Sequence, residues 1–214
     1  MCSNYEIPTR DALAFLDVEV DQLELDLKSH IYPGYHAPII MKNFDLDFGK
    51  FGLLPSWAKD FKFSSYTYNA RTETVAEKPS FRHAWKYSKF CLVPVQEFYE
   101  PKYIDGKPHW YTIKREDGQP FTVAAIYDDA FIKDSKVRSF SMLTINSDNH
   151  PFMKQFHAPS DEKRSIIVIP EDYRNDWLNA DKENAHEYFF EMRDEFITFP
   201  RDHSSEVAKQ SDLF

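Results

Sequence analysis

Apolar positions in the middle of the chain fall into runs of strand length. Phe90 to Tyr99 (FCLVPVQEFY) is apolar almost throughout and interrupted by Pro94, which predicts one buried strand with a bend. His109 to Lys114 (HWYTIK) follows the turn dipeptide Asp105-Gly106, so Phe98 to Lys114 is predicted to be a hairpin. Ala37 to Met41, Phe48 to Leu54, Phe121 to Tyr127, Val137 to Ile145 and Ser165 to Ile169 are further strand-like runs, rich in β-branched and aromatic residues. Helical spacing occurs toward the ends. Thr9 to Leu16 predicts a short helix with Thr9 as its N-cap, and Asp172 to Leu178 and Lys182 to Met192 predict two more. Strands in the middle with helices around them make the class α+β, with mostly antiparallel sheet.

Length and composition narrow this to a single domain. A chain of 214 residues with 42% hydrophobic content supports one well-packed core. Five glycines against thirteen prolines, with no repeat or low-complexity tract, describe one compact unit over residues 1–200 and a polar tail over 201–214. No run of eighteen apolar residues and no signal-peptide pattern occur, so no membrane association is expected, and the protein is expected in the cytoplasm, associated with the nucleoid. Cys2 and Cys91 are too few for a disulfide framework and lack the paired spacing of a zinc site, so no metal or other cofactor is expected.

The formal charge of −9 argues against nucleic acid as a partner until its distribution is considered. Between Trp57 and Cys91, seven basic residues stand against three acidic ones, for a local net charge of +4. Nine aromatic residues are interleaved with them, a mixture suited to stacking on unpaired bases beside a charged backbone. On composition alone the favoured reading is that the same rings form core with the lysines solvated, since aromatic side chains are usually buried.

Four segments carry candidate chemistry. Cys2 is small enough for Met1 to be removed, which leaves a 1,2-aminothiol. The α-amine titrates near 7.7–8.0 and a thiol near about 8.5, so both are partly available as nucleophiles at neutral pH. An amine condenses with an aldehyde to an imine, and an adjacent thiol closes onto it as a five-membered thiazolidine. Tyr68 to Thr74 (YNARTET) offers polar side chains and an Arg fork suited to phosphate, or else an ordinary loop with a helix cap. Glu97 and Glu100 end an apolar run, where at least one is expected to be partly desolvated. His150 and His157 follow a strand in loop positions where catalytic groups are often presented; His157, ahead of the charged run Asp161 to Arg164, is preferred.

In this order the segments resemble the SOS-response-associated peptidase (SRAP) family, sensors of abasic sites in single-stranded DNA. The resemblance rests on Met1-Cys2-Ser3-Asn4, Phe51 to Trp57 (FGLLPSW), Asn69 to Thr74 (NARTET), Cys91 to Pro94 with Phe98 to Pro101, and Phe156-His157. It implies a compact domain of curved, mostly antiparallel sheets flanked by helices. It also implies that Cys2 forms a thiazolidine DNA–protein crosslink with the ring-opened sugar, with Asn69 positioning the amine. Glu100 and His157 would then move protons, and Arg71 would hold a flanking phosphate. Trp57, Lys163 and Arg164 complete the implied DNA contacts, and the chain is expected to act as a monomer. The family's peptidase activity would remove the residue before the cysteine.

The chain departs from the family pattern at several places. Ser3-Asn4 replaces Gly-Arg, Phe51 replaces a Trp, Pro101 replaces the Trp after the glutamate, and Ala158-Pro159 interrupts the usual His-x-Arg. Lys163 and Arg164 are expected to supply the missing charge after a longer loop. Two other functions fit the same residues: a thiol peptidase acting on other proteins with Cys2 as nucleophile, and a non-catalytic module that binds single strands.

Overall fold

The computed structural model describes residues 2–16, 18 and 28–201. The amino-terminal strand β1 (Tyr5–Glu6) leads into the short helix α1 (Arg10–Leu13), continued as a 3-10 turn over Ala14–Leu16. Thr9 caps α1 as expected, its hydroxyl accepting from the Ala12 N–H at 3.3 Å. Strands β2 (His30–Ile31), β3 (His36–Ile40), β4 (Leu46–Phe51) and β5 (Asn69–Arg71) follow, then helix α2 (Arg82–Lys86). The central run comprises β6 (Phe90–Val95), β7 (Glu97–Ile104), β8 (Lys107–Arg115), β9 (Phe121–Ile132) and β10 (Ser135–Asn146). The chain continues through β11 (Arg164–Ile166), β12 (Val168–Ile169), helix α3 (Arg174–Asn179) and β13 (Phe196–Pro200).

The strands form two sheets. In one, β10, β4, β3, β6 and β9 pair in turn and β9 pairs back onto β10, which closes a barrel. The other is antiparallel, in the order β13-β8-β7-β1-β2. Pairing is antiparallel throughout except where β10 meets β4 and β5. The expected α+β class with mostly antiparallel sheet is therefore observed, and no described helix is long and apolar enough to cross a membrane. Aromatic packing fills the core: Phe51 stacks on Phe140 at 5.3 Å and meets Tyr5 edge-on at 5.3 Å, while Phe90 stacks on Trp177 at 4.7 Å. Gly52, at φ +106°, ends β4 where a Cβ would lie 2.1 Å from the Ser64 carbonyl oxygen, so only glycine fits this crossing.

Three expectations need correction. Phe90 to Tyr99 is two strands rather than one, and the break falls at Gln96, whose N–H donates to Glu6 O at 2.8 Å as the chain leaves the barrel for the second sheet. Pro94 stays inside β6, which meets β3 only at Ile40↔Leu92 and so carries the proline with one long-paired neighbour, β9. Lys182 to Met192 is not a helix beyond a 3-10 turn at Ala185–Tyr188. The consecutive rings Tyr188, Phe189 and Phe190 pack toward Trp177, Trp85 and Tyr173, directions that one helical face cannot serve. Finally, β13 adds an edge strand that the pattern did not reveal. Apart from Arg201, the polar tail lies outside the described residues.

Candidate active site around Cys2

The antiparallel register of β1 on β7 sets the site. Tyr5 pairs with Phe98 and Glu6 with Glu97, and the Asn4 carbonyl accepts from the Tyr99 N–H at 3.1 Å. Each step back along the amino-terminal strand is a step forward along β7, so Cys2 comes level with the end that carries Glu100. From the barrel side, β5 lies parallel to β10 with Asn69 opposite Met142. Its Nδ2 donates to the Cys2 carbonyl at 2.7 Å. The amino-terminal segment is thus held by a ladder on one side and by an amide on the other.

His157 arrives from the loop after β10. Its Nε2 stands 2.9 Å from Glu100 Oε2, and since a carboxylate only accepts, Nε2 carries the proton. The His157 N–H donates to Pro101 O at 2.7 Å, and Lys163 Nζ donates to the His157 and Ala158 carbonyls at 3.3 and 2.5 Å. These bonds hold His157 at φ +64°, a left-handed conformation that costs a residue with a Cβ about 1–2 kcal/mol. A strained backbone kept by so many bonds places one imidazole against one carboxylate.

All three reactive groups are out of water: Cys2 is 1%, Glu100 2% and His157 8% exposed. Burial, and then the charge of Glu100, push the Cys2 thiol well above its ordinary range. Its Sγ donates to Asn4 O at 3.7 Å. Burial works to raise the Glu100 carboxyl as well, but the amino-terminal charge and the His157 hydrogen bond outweigh it and hold the carboxyl below its usual range. A buried carboxylate, a buried imidazole and a protonated thiol therefore stand together, an arrangement able to give and take protons.

Four of the sequence-identified residues, Cys2, Asn69, Glu100 and His157, converge here. Arg71 projects from the end of β5, half-exposed, with its Nη1 2.6 Å from Glu162 Oε2. Trp57 is 51% exposed and meets Phe63 edge-on at 4.9 Å. Lys163 is occupied in bracing the His157 loop. Arg164 departs from expectation. It is 2% exposed, and its guanidinium is engaged by Glu73 at 2.7 and 2.9 Å, Glu162 at 2.8 Å and Thr144 O at 2.6 Å, so it is a structural brace rather than a cation presented to DNA. His150 is also structural, buried with its Nε2 on Met192 O at 2.7 Å and its Nδ1 accepting two backbone N–H groups.

Two features were named in the sequence only as parts of longer segments. Tyr68 is half-buried, and burial followed by the charges of Glu100 and Cys2 raises its phenol, which places the ring at the site; its position beside Asn69 was the available signal. A groove of about 500 Å³ opens beside Asn69 and Arg71, walled by Tyr66, Lys78 and Phe81. Interleaved basic and aromatic residues were its signature in the sequence. Among the described residues no group of three or more His, Cys, Asp or Glu side chains is placed to hold a metal ion.

Comparison with known proteins adds to this geometry. The family model described as SOS response associated peptidase (SRAP) matches residues 1–203. Abasic site processing protein YoaM of Bacillus subtilis is 32% identical over 195 residues, spanning 84% of this chain and 79% of that protein. Abasic site processing protein YedK of Escherichia coli is 26% identical over 113 residues, or 53% of this chain and 47% of that one. A crystal structure of a Bordetella bronchiseptica protein superposes with a TM-score of 0.87 at 24% identity, covering 94% of this chain and 100% of that chain. One from Bacteroides thetaiotaomicron gives 0.75 at 22% identity, covering 96% and 94%. The two structures bear on the fold alone.

Proposed function

The chain belongs to the SOS response associated peptidase family, and on that premise we propose that it is an abasic-site sensor that bonds covalently, through Cys2 freed of Met1, to single-stranded DNA. One observation carries this reading: the backbone at Cys2 is clamped by Asn69 beside a buried Glu100–His157 pair. The names of the relatives, abasic site processing proteins, supply the substrate class.

The raised thiol favours one order of events: burial and the Glu100 charge disfavour the thiolate, which supports the α-amine as the first nucleophile. Its lone pair attacks the aldehyde carbon of the ring-opened sugar, and a proton passes to the oxygen to give a carbinolamine. Loss of water leaves an imine. The thiol then adds across the C=N bond: sulfur bonds to carbon, and its proton ends on nitrogen, closing the thiazolidine. The balance is one water released. Glu100 takes and returns protons at the amine and the departing oxygen, with His157 hydrogen-bonded to its carboxyl, and Asn69 holds the Cys2 carbonyl so that the amine faces the sugar.

The DNA would lie along the groove beside Asn69. A phosphate displaces Glu162 from the exposed Arg71, and Trp57 and Tyr66 offer rings to neighbouring bases. The thiol-peptidase alternative has less support, since Cys2 places its sulfur on Asn4 O while His157 places Nε2 on Glu100. Incubation with single-stranded DNA carrying one abasic site tests the proposal: a heat-stable crosslinked band is expected from the mature protein and none from Cys2→Ala.

A further inference from the structure

Away from Cys2, α2 and the loop carrying Lys182 line a second groove of about 590 Å³, which shares no lining residue with the groove beside Asn69. Its lining is cationic and aromatic: Arg82, His83, Lys86 and Lys182 with Trp85 and Tyr87. Behind it lies Asp128 of β9, whose side chain is 1% exposed. Asp128 accepts from His83 Nδ1 at 2.8 Å, from Lys89 Nζ at 2.6 Å and from the Asp129 N–H at 2.9 Å.

This buried carboxylate orients His83: it accepts the Nδ1 proton, which leaves Nε2 as the nitrogen free to serve the groove. The Tyr87 ring, 4.8 Å away, fixes the imidazole from the side, and the Lys182 N–H donates to Ser88 Oγ at 3.0 Å, tying the loop to the end of α2. Lys182 pairs with Glu183, whereas Arg82 and Lys86 make no ion pair among the described residues. In a chain of charge −9, two cations without ion pairs among the described residues, Arg82 and Lys86, gathered with Lys182 at a concave, aromatic-walled site with a carboxylate-backed histidine, describe a receptor for an anion.

We propose that this groove is a second, phosphate-binding site, in which His83, set by Asp128, and the cations Arg82, Lys86 and Lys182 surround one phosphate group. The phosphate comes either from the backbone of a DNA strand running past the groove beside Asn69 or from a free phosphorylated molecule. The site does not depend on whether Cys2 forms a crosslink.

The test follows the His83 ring signals by NMR while inorganic phosphate is added to the full chain. A saturable shift is expected in the wild type, weakened about tenfold in an Arg82→Gln/Lys86→Gln double variant. No shift, or a shift of equal affinity in both proteins, overturns the proposal. The source is decided by measuring affinity for short and long unmodified single strands. A loss confined to the long strand, with a salt slope shallower by about 0.7 for each contact removed, identifies the DNA backbone. Unchanged strand affinity alongside weakened phosphate binding identifies a free phosphorylated molecule. Crosslinking of a saturating short abasic strand, measured on the same variant, is expected to be unchanged. If crosslinking is absent from wild type and variant alike, it is the proposed function that fails, and the phosphate titration still decides the second site.

Discussion

Glu100 and His157, 57 positions apart, share a 2.9 Å hydrogen bond in a site closed to water. The His157 N–H donates to the carbonyl of Pro101, the residue after Glu100, so backbone and side chain both register the pair. Glu100→Gln keeps the shape and removes the proton acceptor. Crosslinking is expected to slow by about 100-fold or more, the usual scale for losing a general acid–base group, while DNA affinity holds. Single-turnover rates at saturating DNA measure this.

The same residue sets a pH dependence of stability. The Glu100 carboxyl lies below its ordinary value of 4.5 in the folded chain, so its contribution is fully present above that value and is lost as pH falls through the folded one. Thermal unfolding followed from neutral pH downward is expected to show a steep acid-side loss that Glu100→Gln flattens.

Arg164 makes the opposite prediction. Arg164→Met strips the Thr144 carbonyl of a buried donor and Glu73 of its partner, which is expected to cost about 2 kcal/mol. At about 2–4 °C per kcal/mol for a chain of this size, Tm falls by roughly 4–8 °C. The salt slope of DNA binding is expected to stay unchanged. Arg71→Gln is expected to leave Tm nearly unchanged and to make that slope shallower by about 0.7.

These two arginines mark how far the sequence could be read. Both stand in basic or charged runs, and only the third dimension separates the one that ends β5 at the surface from the one that β11 turns inward. Local chemistry was legible: Asp105-Gly106 makes the expected two-residue turn, both residues at positive φ, and Thr9 caps its helix. The equivalent turn between β9 and β10 is Lys133-Asp134, also at positive φ but without glycine, so the length of that hairpin was not evident. The break at Gln96 and the irregular path of 182–192 answer to packing between distant segments, which no local pattern encodes. Cys2, Asn69, Glu100 and His157 were found because their motifs come in a specific order, whereas the second groove carries no such motif.

Separating amine from thiol tests the order of the proposed steps. Cys2→Ser, with Met1 removed, keeps the amine and replaces sulfur with a poor ring-closing nucleophile. Its heat-stable band is expected to vanish, while borohydride reduction traps an imine-linked product at a rate close to that of the wild-type first step.

Intact mass spectrometry of the purified chain, before and after exposure to a single-stranded oligonucleotide with one abasic site, reaches the central claim directly. Thiazolidine formation predicts a protein lacking Met1 that gains the mass of the oligonucleotide less one water. No gain in mass, or the same adduct on a protein whose α-amine is blocked by a retained Met1, would contradict it.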